Sequence, residues 1–222
     1  MFQAALKALN DVTSRPFRAI LWKALGLTVL LFVILLVAVE AAISGFASFP
    51  WPWLEDVAAW AAGIGLFVLF IFIMAPVTAL FAGLFLDEVA EIVERRDYPD
   101  DPPGRALAFM PSLLMGVETG LLMLVVFALA LPLWFFAIGP VVMVVANAWL
   151  LGREFFILSA SRHMSAREAR RMRKQNAARV FAAGLLPALM AHVPLVNLFV
   201  PLFSTAYFVH IYKSLRGSFK QA

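Results

Sequence analysis

Between Arg179 and Lys213 the chain runs for 33 residues without a formally charged side chain. One bilayer span needs roughly 20 apolar residues, and two need about 40 plus a turn. The stretch is therefore too long for one upright helix and too short for two full spans. Its middle reads Pro194-Leu195-Val196-Asn197-Leu198-Phe199-Val200-Pro201. A proline removes a backbone donor and clashes with the preceding turn, so two of them mark a break or a kink. The pattern predicts a helical hairpin that enters a membrane, turns at 194–201 and leaves on the same side. One long kinked or tilted helix is the competing reading. A turn inside a bilayer also needs other protein segments to cover its backbone.

The rest of the chain has the composition to supply that cover in lipid. It is 63% hydrophobic and only 14% charged, where soluble domains carry about 25% charged residues. Mean hydropathy is +0.89. The fold class expected is an all-α integral membrane protein, with a long transmembrane helical hairpin and one or two shorter re-entrant hairpins. Residues 1–222 form one polytopic membrane domain, with cytosolic amphipathic segments near 84–105 and 157–178. The first apolar run, 19–46, is too long for a signal-peptide core, so the basic arm before it is expected to stay on the protein.

In chain order, residues 1–18 place Phe2, Leu6 and Leu9 at helical spacing beside Lys7, Arg15 and Arg18, which fits a short interfacial helix interrupted near Pro16. The first membrane segment is 19–46. An outer loop at Trp51–Asp56 follows, with two acids and no base. The second segment is 58–86, with a kink expected at Pro76. The amphipathic helix after it has Phe85, Val89, Ile92 and Val93 on one stripe. Residues 87–101 carry seven acids and two bases. Segments 106–131 and 136–156 follow, either as two spans or as a second shallow hairpin. The region 153–179 holds eight bases and two acids, and Ser165-Ala166-Arg167-Glu168 predicts a capped helix start near 165. Its opposite charge makes contact with 87–101 plausible, and anionic lipid is its other natural neighbour. The positive-inside rule places both termini and both charged regions in the cytosol.

Several polar residues stand out against the apolar background. Glu118 lies inside the third segment, where a carboxylate is expensive unless neutral, paired or solvated. It can line a pathway or carry a proton, or it can be structural. Gly116 and Gly120 beside it form a small-xxx-small pair that permits close helix packing. Glu40 suits an outer interface. Asn147 and Asn197 are amides within apolar segments, each a pathway contact or a helix and turn partner; Pro194 and Pro201 frame the second. His192 and His210 fall on different legs of the last hairpin, and no histidine–acid spacing indicates a metal. Cysteine is absent, which removes disulfides and thiolate chemistry. Neither a Gly-x-Ser-x-Gly elbow nor a Gly-x4-Gly-Lys phosphate loop occurs. An enzyme is not expected, nor a cofactor. The net charge of +4 comes from clusters beside apolar segments, so it points to headgroups rather than nucleic acid.

Phe81-Ala82-Gly83-Leu84-Phe85-Leu86-Asp87-Glu88-Val89-Ala90-Glu91, the Pro194–Pro201 segment and Arg162-His163-Met164 between them together resemble the CysZ-type sulfate permeases and the related etoposide-induced membrane proteins. The resemblance covers about 5–213. It implies two long transmembrane helices, shallow partly penetrating hairpins, a homo-oligomer, and inward movement of sulfate across a bacterial inner membrane for sulfur assimilation. With it, 106–156 is expected to be shallow. It also implies substrate contact at Gly83, Leu84 and the turn toward Glu88, with Arg15 and Arg18 nearby. Two features depart from the family pattern. The paired arginines are separated here, and the interval after Gly83 contains Asp87, so that two carboxylates stand where an anion would sit. A non-transporting scaffold or assembly factor that binds lipid or a partner protein is the alternative.

Overall fold

The computed structural model describes residues 1–46, 85–106 and 138–219, with isolated positions between 53 and 68 and between 118 and 132. Every regular element among the described residues is helical. They are α1 (Phe2–Val12), α2 (Arg15–Phe46), α3 (Leu86–Asp97), α4 (Gly139–Ser161), α5 (Ala166–Gln175), α6 (Ala177–Met190), α7 (Pro194–Asn197) and α8 (Val200–Phe219). The Pro76 kink, Gly116 and Gly120 lie outside the described residues, as does most of the expected second and third segments.

Two helices are long and apolar enough to cross a bilayer, at Arg15–Ala42 and Gly139–Ser161. At 1.5 Å per residue, the 32 residues of α2 extend roughly 48 Å, well beyond a hydrocarbon core of about 30 Å. Its first third is anchored: Phe17, Ile20, Ala24 and Thr28 recur every three or four residues and are buried. Beyond Thr28 the helix presents Leu30, Ile34 and Val37 outward. The helical arm is interrupted near Pro16, as expected. The break falls at Thr13-Ser14, and Pro16 occupies the first turn of α2, where its missing N–H has no intrahelical partner to lose.

The long uncharged stretch is two main helices, with the break at 191–199. Their relative direction follows from their contacts with α4. Residue 148 meets 184 and residue 152 meets 180, so α6 runs antiparallel to α4. Phe155 stacks on Phe208 and Phe156 meets Tyr212 edge-on, so α8 runs parallel to α4. The two legs are therefore antiparallel to each other, which is a helical hairpin.

That hairpin's second leg is the centre of the molecule. From Leu202 to Lys213 every residue of α8 is buried, packed by α1, α3, α4 and α6. The cover is built from small and branched side chains: Ala4 and Ala8 from α1, Val89 and Val93 from α3. The α4–α6 contact is closer still. A Cβ on Gly184 would lie 2.0 Å from the Ala148 carbonyl oxygen, and one on Gly152 would lie 2.7 Å from the Val180 carbonyl oxygen. Only glycine permits backbones to approach this closely.

Helix α4 continues to Ser161, past the expected end at 156, so Arg153 and Glu154 are helical. Nothing in that sequence breaks a helix before the turn at Arg162-His163-Met164. The capped start of α5 falls where the spacing placed it. Ser165 Oγ accepts from the Glu168 N–H at 3.3 Å, and Glu168 Oε2 accepts from the Ser165 N–H at 2.9 Å.

Candidate functional site

Helix α3 carries the acids that organise the polar interior. Its apolar stripe, Val89, Ala90 and Val93, faces α8 and the core. The remaining positions form two charged clusters and an open first turn.

The first cluster is centred on Arg162, in the turn after α4. Its guanidinium is buried, and donates from Nε to Glu94 Oε1 at 3.1 Å and from Nη2 to Glu94 Oε2 at 3.1 Å. Nη1 donates to Asp87 Oδ1 at 2.6 Å. His163 Nε2 lies 2.9 Å from Glu94 Oε1, and the Gly104 N–H donates to Oε2 at 3.1 Å. Burial pushes the Glu94 carboxyl up, but its hydrogen bonds to His163 and Arg162 and their charges outweigh that, leaving it at about 2. The Arg162 carbonyl also accepts from the Arg105 N–H at 2.8 Å, so the chain after α3 is tied to the same turn. This is the expected contact between the acidic and basic regions, made through one buried arginine.

A second cluster lies at the other end of α3. His210 of α8 is buried, with Nε2 3.1 Å from Asp11 Oδ2 and 3.4 Å from Asp97 Oδ2. Tyr98 Oη lies 2.9 Å from His210 Nδ1. Burial, together with Asp97, Asp101 and Asp11, pushes the Tyr98 hydroxyl up to about 12, so it stays protonated. Arg96 stands 3.3 Å from Asp11, and Lys213 donates to Asp101 at 2.7 Å. Ligand atoms of Asp11, Asp97 and His210 all fall within 4.8 Å of one another, a spacing that a metal ion could bridge. Arg96, Lys213 and the nearby Lys7 already balance Asp11, Asp97 and Asp101, so charge does not call for an ion there.

The first turn of α3 carries Asp87 and Glu88. Phe85 occupies its N-cap position and supplies no side-chain cap, so the N–H groups of the first turn are not closed off by the preceding residue. Asp87 is held by Arg162, and Glu88 lies 3.6 Å from Lys23 Nζ of α2. The same Lys23 sits 5.7 Å from the centre of the Phe85 ring. The base that α2 brings to this turn is thus Lys23, which the sequence pattern did not single out. Arg15 and Arg18 are exposed at the start of α2, and neither side chain has a hydrogen bond or ion pair among the described residues. Gly83 and Leu84 lie outside the described residues.

The other singled-out residues are dispersed. Glu118 is exposed and pairs with Arg153 of α4 and, at 3.2 Å, with Arg170 of α5. Its charge is therefore compensated by the basic region. Asn147 is half-buried in α4, and Asn197 half-buried at the end of α7. Pro194 opens α7 and Pro201 lies in the first turn of α8, where its carbonyl accepts from Thr205 Oγ1 at 2.9 Å. His192 Nδ1 lies 2.7 Å from the Ala188 carbonyl, which places it in the turn and apart from His210.

No curated protein matches the chain. A family described as sulfate transporter CysZ/Etoposide-induced protein 2.4 matches residues 4–201, nearly its whole length. With two apolar helices of spanning length and an all-helical fold, the chain belongs to the sulfate transporter CysZ/Etoposide-induced protein 2.4 family.

Proposed function

We propose that the chain is an inner-membrane permease for sulfate or a related small oxyanion, acting as a homo-oligomer and feeding sulfur assimilation. The observation that carries this reading is the family match over residues 4–201. The geometry supports it at one point where the sequence argued against it. Two carboxylates at the start of α3 would repel an anion, but Asp87 is paired with Arg162 and Glu88 with Lys23. Arg162 is shared with Glu94, so the pairing weakens rather than cancels the repulsion, and the first-turn N–H groups of α3, to which Phe85 offers no side-chain cap, suit a tetrahedral oxyanion. Arg15 and Arg18 precede Lys23 on α2, without side-chain partners among the described residues that would have to be broken to engage it. Passage is passive or ion-coupled: the anion gathers at this cytosolic-side cluster, and hairpin tips form the barrier. Both termini are cytosolic in this reading.

A scaffold role is the second reading, favoured by the exposed bases Arg167, Arg171 and Lys174 on α5. Radiolabelled sulfate uptake into proteoliposomes separates the two. Uptake above protein-free vesicles, blocked by excess unlabelled sulfate and reduced by charge reversal at Arg15 and Arg18 at unchanged expression, is the expected result. No uptake in any imposed gradient, from folded oligomeric protein, would overturn the permease reading for sulfate.

A further inference from the structure

Outside the α3 clusters, the structure gathers a second concentration of charge where α4 and α5 meet Glu118. Arg153 and Arg170 both pair with the one Glu118 carboxylate. Arg173, one turn after Arg170, has a buried Nε with no hydrogen-bond partner among the described residues. Burial and the neighbouring Arg153 and Arg170 all act to lower its pKa, as expected of a guanidinium facing like charge. Arg173 thus adds a third cation beside two that already share one carboxylate among the described residues. Glu154 follows Arg153 but is turned about 100° away from it on α4, and counting it still leaves the group positive.

The depth of this group in the bilayer can be read from Trp149. That side chain is exposed on the candidate span Gly139–Ser161, one turn before Arg153, and the Arg153 guanidinium lies 6.0 Å from its ring centre. Exposed tryptophan on a spanning helix prefers the headgroup level. An arginine cluster at that depth faces phosphodiesters, and a planar donor fork suits two phosphate oxygens at once. We propose that Arg153 and Arg170, bridged by Glu118, together with Arg173 and flanked by Trp149, form a binding site for the phosphate of an anionic phospholipid. Its role is to seat the α4–α5 corner on the cytosolic leaflet. The assignment is independent of the transport reading.

The test uses the full chain in nanodiscs of mixed phosphatidylglycerol and phosphatidylcholine, with lipid retention read by native mass spectrometry. Phosphatidylglycerol should be retained in preference to phosphatidylcholine. The Arg170→Gln/Arg173→Gln variant should weaken its retention at least about tenfold, the effect of losing even one of the charge-assisted hydrogen bonds that the two arginines supply. Arg167→Gln/Arg171→Gln removes the same charge from a face of α5 turned about 110° from that of Arg170 and Arg173 and should leave retention near wild type. Equal losses in the two variants would show diffuse attraction and overturn the site, as would a lack of preference for phosphatidylglycerol. Displacement of the lipid by millimolar inorganic phosphate, or by a polyglutamate peptide, would overturn the lipid assignment in favour of a free oxyanion or an acidic protein. Should the double variant fail to fold, Arg170→Gln alone, at a half-exposed side chain, carries the same comparison.

Discussion

Arg162 grips Glu94 at two points, Nε to Oε1 and Nη2 to Oε2, each 3.1 Å, across 68 residues of sequence. The pair locks the turn after α4 onto α3, and both side chains are almost fully buried. Removing one partner leaves an uncompensated buried charge, which costs about 3–5 kcal/mol. Arg162→Met should therefore lower the thermal midpoint in detergent sharply. Arg162→Met combined with Glu94→Gln should recover part of the loss, because the one carboxylate left without its partner, Asp87, is partly exposed rather than buried. Equal melting of wild type and Arg162→Met would remove the pair from the stability of the fold.

The same carboxylate sets a pH window. Glu94 is depressed from 4.5 to about 2 in the folded state. A depressed carboxyl contributes stability that is present above its unfolded value and lost as pH falls through the folded one. Stability should fall between about pH 4.5 and pH 2, and Glu94→Gln should flatten that limb. Chemical denaturation at stepped pH reads it directly.

Gly184 predicts a packing limit. An alanine there would place its Cβ 2.0 Å from the Ala148 carbonyl oxygen, and backbone cannot swing aside as a side chain can. Gly184→Ala should force α4 and α6 apart and cost at least about 1–3 kcal/mol, the usual range for overpacking. Gly26→Ala, with open space around its Cβ, is the control and should melt like wild type.

The Tyr98 hydroxyl joins α3 to His210 of α8. Tyr98→Phe keeps the ring, and so its contacts with Lys7 and Lys213, while deleting one buried hydrogen bond. A loss of roughly 1 kcal/mol is expected. A much larger loss would mean that the hydroxyl orders the whole Asp11–Asp97–His210 group.

What the sequence revealed and what it hid divide along one physical line. The capping box of α5 was legible because its donors and acceptors lie three residues apart, fixed by helix geometry alone. The break was legible because two prolines frame an amide inside an apolar run, although it falls at 191–199 rather than at the expected 194–201, since Pro201 fits the first turn of α8. Complementary charge on 87–101 and 153–179 predicted contact between them, but not that Arg162, rather than the denser bases of α5, would make it. That choice depends on how α3 packs against α8, which no local spacing encodes. Glu118 stood out as a costly carboxylate, and its cost is met by Arg153 and Arg170, which lie 35 and 52 residues away. The small-residue spacing singled out at Gly116 and Gly120 recurs at Ala148 and Gly152, where α4 meets α6, and the spacing alone did not point to that second pair. Lys23 carries no local signal of its own, because its role depends on α3 lying beside it.

Lys23 gives the sharpest link between fold and proposed transport. Glu88 is close to half exposed, as is Lys23, so their pairing adds little to stability, at most about 1 kcal/mol. Its effect on an incoming anion is different in kind, because the lysine cancels a carboxylate beside the first-turn amides of α3. Lys23→Gln should leave folding intact and reduce sulfate uptake about fivefold, the factor that 1 kcal/mol of repulsion would impose. Glu88→Gln in that background should restore most of the uptake, since the repelling charge is gone. Uptake that is unchanged in Lys23→Gln, or that falls further when Glu88→Gln is added, would place the anion's route away from the start of α3.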